Sequence, residues 1–281
     1  MKKVLLGGVA LITLGFVGSA VAADMPIKAP VVVSNPWTGL YLGINAGGGL
    51  YHTNMGFGQT ADPALNPAGI VFDPVTISDS HWGGFGGVQA GYNWAPGQFL
   101  FFGPSWVFGA EFDWDKVSVG NGNGQQFLTA SGFGIPPCVG GAVGPGLCHG
   151  LLMSQNLEWT ATARAKLGYT FGSTMIYGTG GGAWASEERS GQVAAANFFT
   201  SSITTSSNHT MSGWVAGGGI EFMATANWLL RLEYLHYQFN SGGSVTAPCT
   251  QCTFGPLAGP GTFTWGNSSL DSIRGALSYK F

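Results

Sequence analysis

The sequence predicts an all-β chain: an eight-stranded antiparallel transmembrane β-barrel with short periplasmic turns and long extracellular loops. Three observations carry this. Only 8% of the 281 residues are charged, while 48 are glycine and 13% are aromatic, a composition that disfavours helices and suits a twisted sheet. Past the N-terminal stretch, no apolar run approaches the roughly 20 residues of a membrane helix. Eight segments instead alternate apolar and polar side chains with the period of two that a strand imposes, and their connections alternate strictly between long and short.

Met1-Lys2-Lys3 is a short basic start, followed by the apolar run Val4 to Val17 and the small residues Gly18 to Ala23. This is the pattern of a secretory signal peptide, with cleavage expected after Ala22 or, alternatively, Ala23. Residues 1–22 form the signal and 23–36 a Pro-containing periplasmic lead-in, leaving 37–281 for the barrel. The mature chain keeps eight basic against thirteen acidic side chains, a formal charge of −5. No basic patch points to nucleic acid.

The strands are expected at 37–51, 81–95, 104–115, 155–171, 174–186, 211–224, 227–240 and 268–281. In the third, Trp106, Phe108, Ala110, Phe112 and Trp114 oppose Glu111, Asp113 and Asp115. The fourth sets Leu157, Trp159, Ala161, Ala163, Ala165, Leu167, Tyr169 and Phe171 against Glu158, Thr160, Thr162, Arg164 and Lys166. In the fifth, Gly178, Gly180 and Gly182 share a face with Trp184, which leaves open the face that meets lipid. The seventh sets Trp228, Leu230, Leu232 and Tyr234 against Arg231 and Glu233. The last alternates Ile273, Gly275, Leu277, Tyr279, Phe281 with Arg274, Ala276, Ser278, Lys280. The connections then span 52–80, 96–103, 116–154, 172–173, 187–210, 225–226 and 241–267. An even strand number with both termini in the periplasm follows.

Tryptophan placement suggests two girdles, because indole prefers the membrane interface. Trp37, Trp94 and Trp228, with Phe171 and Phe281, map to the periplasmic side. Trp82, Trp114, Trp184 and Trp214 map to the outer side. The inward charges Glu111, Asp113, Glu158, Arg164, Lys166, Glu221, Arg231, Glu233 and Arg274 are expected to pair, since a buried ion must. Eight strands enclose a lumen just wide enough for side chains to fill. The network is therefore read as a plug that stiffens the barrel, with a gated narrow pore as the alternative.

The closing strand, with Leu277, Tyr279 and terminal Phe281, resembles the assembly signal of bacterial outer-membrane barrels. Further motifs are Trp37-Thr38-Gly39-Leu40-Tyr41-Leu42-Gly43, Gly91-Tyr92-Asn93-Trp94, Arg164-Ala165-Lys166-Leu167-Gly168-Tyr169 and Arg231-Leu232-Glu233-Tyr234. With them, nearly the whole mature chain resembles the alphaproteobacterial outer-membrane immunogenic proteins, small porin-family surface antigens. The resemblance implies an eight-stranded barrel related to OmpA-type membrane domains, set in the Gram-negative outer membrane. It implies outer-membrane lipid and lipopolysaccharide, the barrel assembly machinery and periplasmic chaperones as partners, with a host or surface ligand at the loops. It does not carry over the function of these long loops. With the chain ending at Phe281, no peptidoglycan-binding domain is expected.

Cys138, Cys148, Cys249 and Cys252 lie only in predicted loops. In an oxidising envelope four cysteines read as disulfides with three possible pairings, of which Cys138–Cys148 and Cys249–Cys252 close the shortest loops. A redox or zinc role for Cys249-x-x-Cys252 would need a thioredoxin-like context or further ligands. His52, His81, His149, His209 and His236 all map to outer strand ends or outer loops. They read as surface residues, with haem or metal capture as the alternative suggested by the family. Gly178-Thr179-Gly180-Gly181-Gly182-Ala183 formally fits a dinucleotide fingerprint but lacks the βαβ context. His236 falls on the lipid-facing parity, yet no motif supplies a matched serine and orienting acid. The expectation is a non-enzymatic barrel without cofactor or metal, supporting the envelope and displaying its loops.

Overall fold

The computed structural model describes residues 36–64, 74–97, 102–119, 123–128, 149–195, 202–248 and 259–281, all within the compact unit formed by residues 35–281. The predicted signal segment, nearly all of the lead-in and the four cysteines lie outside the described residues. The strands are β1 (Gly39–Gln59), β2 (Val75–Trp94), β3 (Trp106–Val119), β4 (Asn123–Leu128), β5 (His149–Phe171), β6 (Thr174–Ala195), β7 (Ser202–Met223), β8 (Trp228–Asn240), β9 (Gly243–Ala247), β10 (Gly261–Trp265) and β11 (Ser268–Lys280). Eight of them close a ring in the order β1-β2-β3-β5-β6-β7-β8-β11, every neighbour antiparallel. The closing pair runs from Tyr41 opposite Lys280 to His52 opposite Ser269. A closed ring leaves no unpaired edge in the bilayer, where an unsatisfied backbone group costs several kcal/mol.

The short connections follow from their residues. β5 and β6 join through Gly172-Ser173, with Gly172 at φ +63°, where an L side chain would be strained. The β7–β8 turn spans 224–227 and is tied by Asn227, whose Nδ2 donates to the Lys280 carbonyl at 2.9 Å. These turns, the start of β1 and the end of β11 share one end of the barrel, the periplasmic end by the rule that short turns face the periplasm.

The outer wall carries the predicted apolar band. Leu40, Leu42, Ile44, Phe112, Leu167, Ile176, Leu230, Leu232, Ile273 and Leu277 all face outward and stay exposed. At the periplasmic rim, Trp106 meets Tyr169 edge-on, Trp228 meets Tyr279, and Tyr279 meets Phe281, with ring centroids 5.2–5.3 Å apart. Trp82, Trp114, Trp184 and Trp214 mark the opposite rim. The face of β6 left open above is settled: Ile176 and Trp184 point outward, Tyr177 and Ala183 inward. Trp37 departs from expectation. It is only 2% exposed and turns into the barrel mouth, where its Nε1 donates to the Gly172 carbonyl. Indole is drawn to a dry pocket with one polar partner as readily as to an interface.

The strands do not stop at the membrane. A spanning strand needs about 9–11 residues, yet β1, β2, β5, β6 and β7 have 20 to 23. The extra length builds an upper storey from segments expected to be loop. There β4 continues the pairing of β5 where β3 has ended, and β10 pairs β1 on one side and β9 on the other. The amphipathic sense inverts at this level. Met55, Phe57, Ile77, Leu151, Met153, Val193, Ile203, Phe263 and Trp265 form an apolar core inside, and the outer wall turns polar. Water replaces lipid outside, so the hydrophobic effect drives apolar side chains inward.

Candidate functional site

The lumen is filled in layers. At the periplasmic mouth Trp37, Tyr41, Val107, Met175, Tyr177 and Leu229 pack together. Above them lies a charged layer, then Tyr51, Val117, Leu157, Met211, Leu235, Tyr237, Phe239 and neighbours. Strand register builds the charged layer directly. It sets Glu111 opposite Arg164, Glu221 opposite Arg231, and Glu233 opposite Arg274. Each is a cross-strand acid–base pair on the inward face, the sheet's closest side-chain relation.

Longer bonds then cross the lumen. Arg164 donates to Glu233 at 3.0 Å and Asp113 at 2.8 Å as well as to Glu111. Arg231 donates to Glu221 at 2.7 and 2.9 Å and to Glu111 at 2.6 Å. Arg274 donates to Glu233 at 2.7 Å and to Asp113 and Asp115 at 3.3 Å. Lys166 reaches Glu221 at 3.3 Å. None of these side chains is more than 3% exposed. The guanidinium fork, with five donors and no acceptor, lets three arginines hold carboxylates on opposite walls at once.

Tyrosines seal the layer from below. Tyr41 donates to Glu111, and Tyr177 donates to Glu233 at 2.7 Å. Lys166 Nζ lies 5.0 and 5.1 Å from the Tyr41 and Tyr177 ring centroids, within cation–π reach of both. Glycine makes room for these phenols: a Cβ on Gly91 would fall 2.3 Å from the Tyr41 Oη, and one on Gly219 2.8 Å from that of Tyr177. Thr162 completes the layer by donating to Asp113 at 2.6 Å.

Eight of the nine residues expected in the network thus come together: Glu111, Asp113, Arg164, Lys166, Glu221, Arg231, Glu233 and Arg274. Glu158 does not. The β5–β6 register shifts between Leu157 and Trp159, a β-bulge that inserts one residue and reverses the alternation. Leu157, expected on the lipid face, turns inward and is buried; Glu158 goes to the outer wall, where its Oε2 accepts from Ser186 at 3.5 Å. Tyr41 and Tyr177 were absent from the expected set, although each sits on the inward parity between outward apolar neighbours. A second polar cluster was also missed. Glu187 accepts from Tyr51 at 2.8 Å, from Gln155 at 2.6 Å and from Arg189, which lies over the Trp265 ring. Glu187 and Arg189 share a face at i, i+2, but their segment was expected to be loop.

The histidines separate. On the outer wall just above the apolar band, Asp271 accepts from Tyr234 at 2.6 Å and lies 2.8 Å from His236 Nδ1. Partial burial pushes the Asp271 carboxyl up, but the Tyr234 and His236 bonds and the His236 and His52 charges hold it below the usual range. His81 meets Asp79 at 2.8 Å on another strand, and His209 lies in β7. The His149 side chain lies outside the described residues. His52 Nδ1 is 2.8 Å from Ser80 Oγ, but its Nε2 stands 3.8 Å from Asp271, beyond hydrogen-bond reach. Serine, histidine and carboxylate therefore lie in a row without the carboxylate orienting that ring as nucleophilic catalysis requires. Asp271 does supply His236 with an acid, yet among the described residues no serine hydroxyl bonds to His236.

The model for the outer membrane protein beta-barrel domain family matches residues 9–281. The chain is 32% identical to the 31 kDa outer-membrane immunogenic protein of Brucella melitensis over the full length of both. It is 28% identical to a 22 kDa outer membrane protein of Rhizobium leguminosarum bv. viciae, over 76% of this chain and 70% of that one. The outer membrane protein OprG of Pseudomonas aeruginosa aligns in structure over 87% of this chain and 96% of its own, with 12% identity and a TM-score of 0.32.

Proposed function

We propose a role from one premise: the chain belongs to the outer-membrane protein β-barrel family and resides in the outer membrane. On that footing it is a non-enzymatic, closed barrel that reinforces the envelope and holds its outer segments for contact beyond the cell. The observation that carries this reading is the packed lumen. From Trp37 at the mouth, through Arg164 and Arg274, to Tyr237 and Phe263, successive layers of inward side chains are buried. A filled lumen offers a solute no continuous polar path, and cross-lumen arginine bonds stiffen the ring against collapse. The Brucella relatives are named immunogenic, which fits an outer end displayed at the surface. Exposure of such an end requires delivery by periplasmic chaperones and the barrel assembly machinery.

Recording from single molecules in planar bilayers tests this reading. The expected trace is flat; steady, reproducible conductance steps would overturn it. A second reading, a gated narrow pore, draws on the redundancy of the network. Glu111 and Glu233 each bond two arginines, so one partner can leave while the other holds. Voltage-dependent steps abolished by Arg164→Met would favour the pore.

A further inference from the structure

In the membrane ring every strand is paired on both edges, but the upper storey is split. β7 pairs β6 from Ser202 opposite Ala194 to Phe222 opposite Thr174. It meets β8 only from Ser212, which lies opposite Asn240. Above that level its second edge faces β9, and among the described residues β9 pairs β10 alone. A seam therefore runs between β7 and β9. One ladder of five residue pairs, from Met55 opposite Trp265 to Gln59 opposite Gly261, joins β9 and β10 to the rest of the sheet.

The seam ends at two breaks in the strands. β8 gives way to β9 at Ser241-Gly242, and β10 to β11 at Gly266-Asn267. The breaks lie side by side: Ser241 Oγ donates to the Gly266 carbonyl at 2.9 Å and stands 3.0 Å from Ser268 Oγ. The ladder is interrupted across both, between Ser268 opposite Phe239 and Trp265 opposite Gly243. Each break contains a glycine, the residue with the widest backbone freedom. Two short breaks abreast form a hinge line, about which the strands beyond can turn together.

One side chain bridges the seam from inside. Arg189, on the inward face of β6, donates to the Ser241 carbonyl at the break and to Glu187 on its own strand. Its guanidinium centre also lies 5.4 Å from the Trp265 ring centroid, at the foot of β10. Among the described residues it is the one cation buried at this height. Phe263 supplies an apolar seat: its ring packs 5.1 Å from that of Phe57 and lies against Gly191 of β6, where a Cβ would collide with it.

We propose that β9 and β10 form a hinged flap that opens sideways at the β7–β9 seam, with Arg189 as its latch. Opening gives access to the apolar interior of the upper storey while the membrane ring stays closed. The layers below Arg189 remain packed, so the flap moves without conductance through the lumen. Register makes this motion distinguishable from loosening of the whole storey. Even-numbered residues of β1 present their backbone groups to β10: the Asn54 carbonyl accepts from the Gly266 N–H at 2.7 Å, and the Thr60 N–H donates to the Pro260 carbonyl at 3.1 Å. Gly56 and Gly58 therefore bond to β10, whereas Met55 and Phe57 bond to β2.

The test follows the refolded full chain in phospholipid vesicles by two readouts. In hydrogen exchange at residue resolution, the paired amides of β9 and β10 should exchange together with Gly56 and Gly58, at least about tenfold faster than Met55 and Phe57. In oxidation by hydrogen peroxide, Met55 and Met153 of the upper core should form sulfoxide at least about tenfold faster than Met175 and Met211 of the layers below. None of these four is more than 3% exposed, so a difference reports opening and not static accessibility. The double variant Glu187→Gln, Arg189→Leu removes the latch without stranding a charge. It should speed flap exchange and the oxidation of Met55 and Met153 by at least about tenfold, leaving Met175 and Met211 unchanged. Equal exchange of Gly56 and Met55 in the wild type would overturn the proposal, because the storey would then open as a whole; that comparison needs no variant. A folded double variant whose Met55 and Met153 react no faster than in the wild type would overturn it too.

Discussion

Replacing Arg274 with methionine is expected to destabilise the barrel by about 3–5 kcal/mol, the cost of leaving one buried charge without its partner. The structure explains why the loss is one such penalty and not three. Arg274 serves Glu233, Asp113 and Asp115. Glu233 and Asp113 keep Arg164, at 3.0 and 2.8 Å. Asp115 has no other cation within 4 Å among the described residues, so Arg274→Met strands it alone, 1% exposed. Adding Asp115→Asn removes the stranded charge and should return about 2 kcal/mol, leaving the smaller cost of imperfect amide hydrogen bonds. Lys166→Met is the internal control. Among the described residues its one carboxylate partner within 4 Å, Glu221, keeps two bonds from Arg231, so the loss should be about 1–2 kcal/mol. Urea unfolding of refolded protein in vesicles, followed by tryptophan fluorescence, reads all three variants. An Arg274→Met barrel within about 0.5 kcal/mol of wild type, or no recovery from Asp115→Asn, would refute the assignment of Arg274 as the sole counter-ion of Asp115.

Three further outcomes follow from the same structure. Deleting Phe281 removes a ring stacked edge-on against Tyr279 and the amide that donates to the Leu40 carbonyl at 2.9 Å. Outer-membrane levels should fall while export and signal cleavage continue, and normal levels on quantitative blotting would exclude an assembly role. Trp265→Ala strips the upper core of a buried ring and Arg189 of its cation–π partner; hydrogen exchange should accelerate in 149–157 and 187–193 but not in the membrane-spanning parts of the same strands, because the cores are separate. Asp271, held below its usual range, should add stability above about pH 4, its unfolded value, and lose it as pH falls through the lower folded value. Asp271→Asn should flatten that acid limb of a melting-temperature profile, and an unchanged limb would show that the cluster contributes nothing to it.

Much of this molecule follows from alternation along the chain. In the membrane the outside is lipid and the inside is polar, so Trp228-Leu229-Leu230-Arg231-Leu232-Glu233-Tyr234 shows which residues face which side. Local pattern also suffices for the Gly172-Ser173 turn and for inward acids and bases at 111, 113, 164, 166, 221, 231, 233 and 274. It failed at Glu158 because a single inserted residue reverses parity, and the insertion is visible only against the partner strand. It failed for the upper storey because the sense of the alternation inverts there, and Ser-, Thr- and Gly-rich strands look like loop until their apolar face is seen to meet another.

What the sequence alone determined was the class of fold, the compartment, and most of the charges confined to the lumen. Which cation holds which carboxylate was decided by tertiary structure, since Arg164 and Glu233 are 69 residues apart and meet only when the ring closes between β1 and β11. Closure likewise moved Trp37 from the rim into the mouth and stacked a second core above the first. Alternation is a property of one strand, legible residue by residue; register and closure belong to pairs of strands distant in sequence, and only the folded ring brings them together.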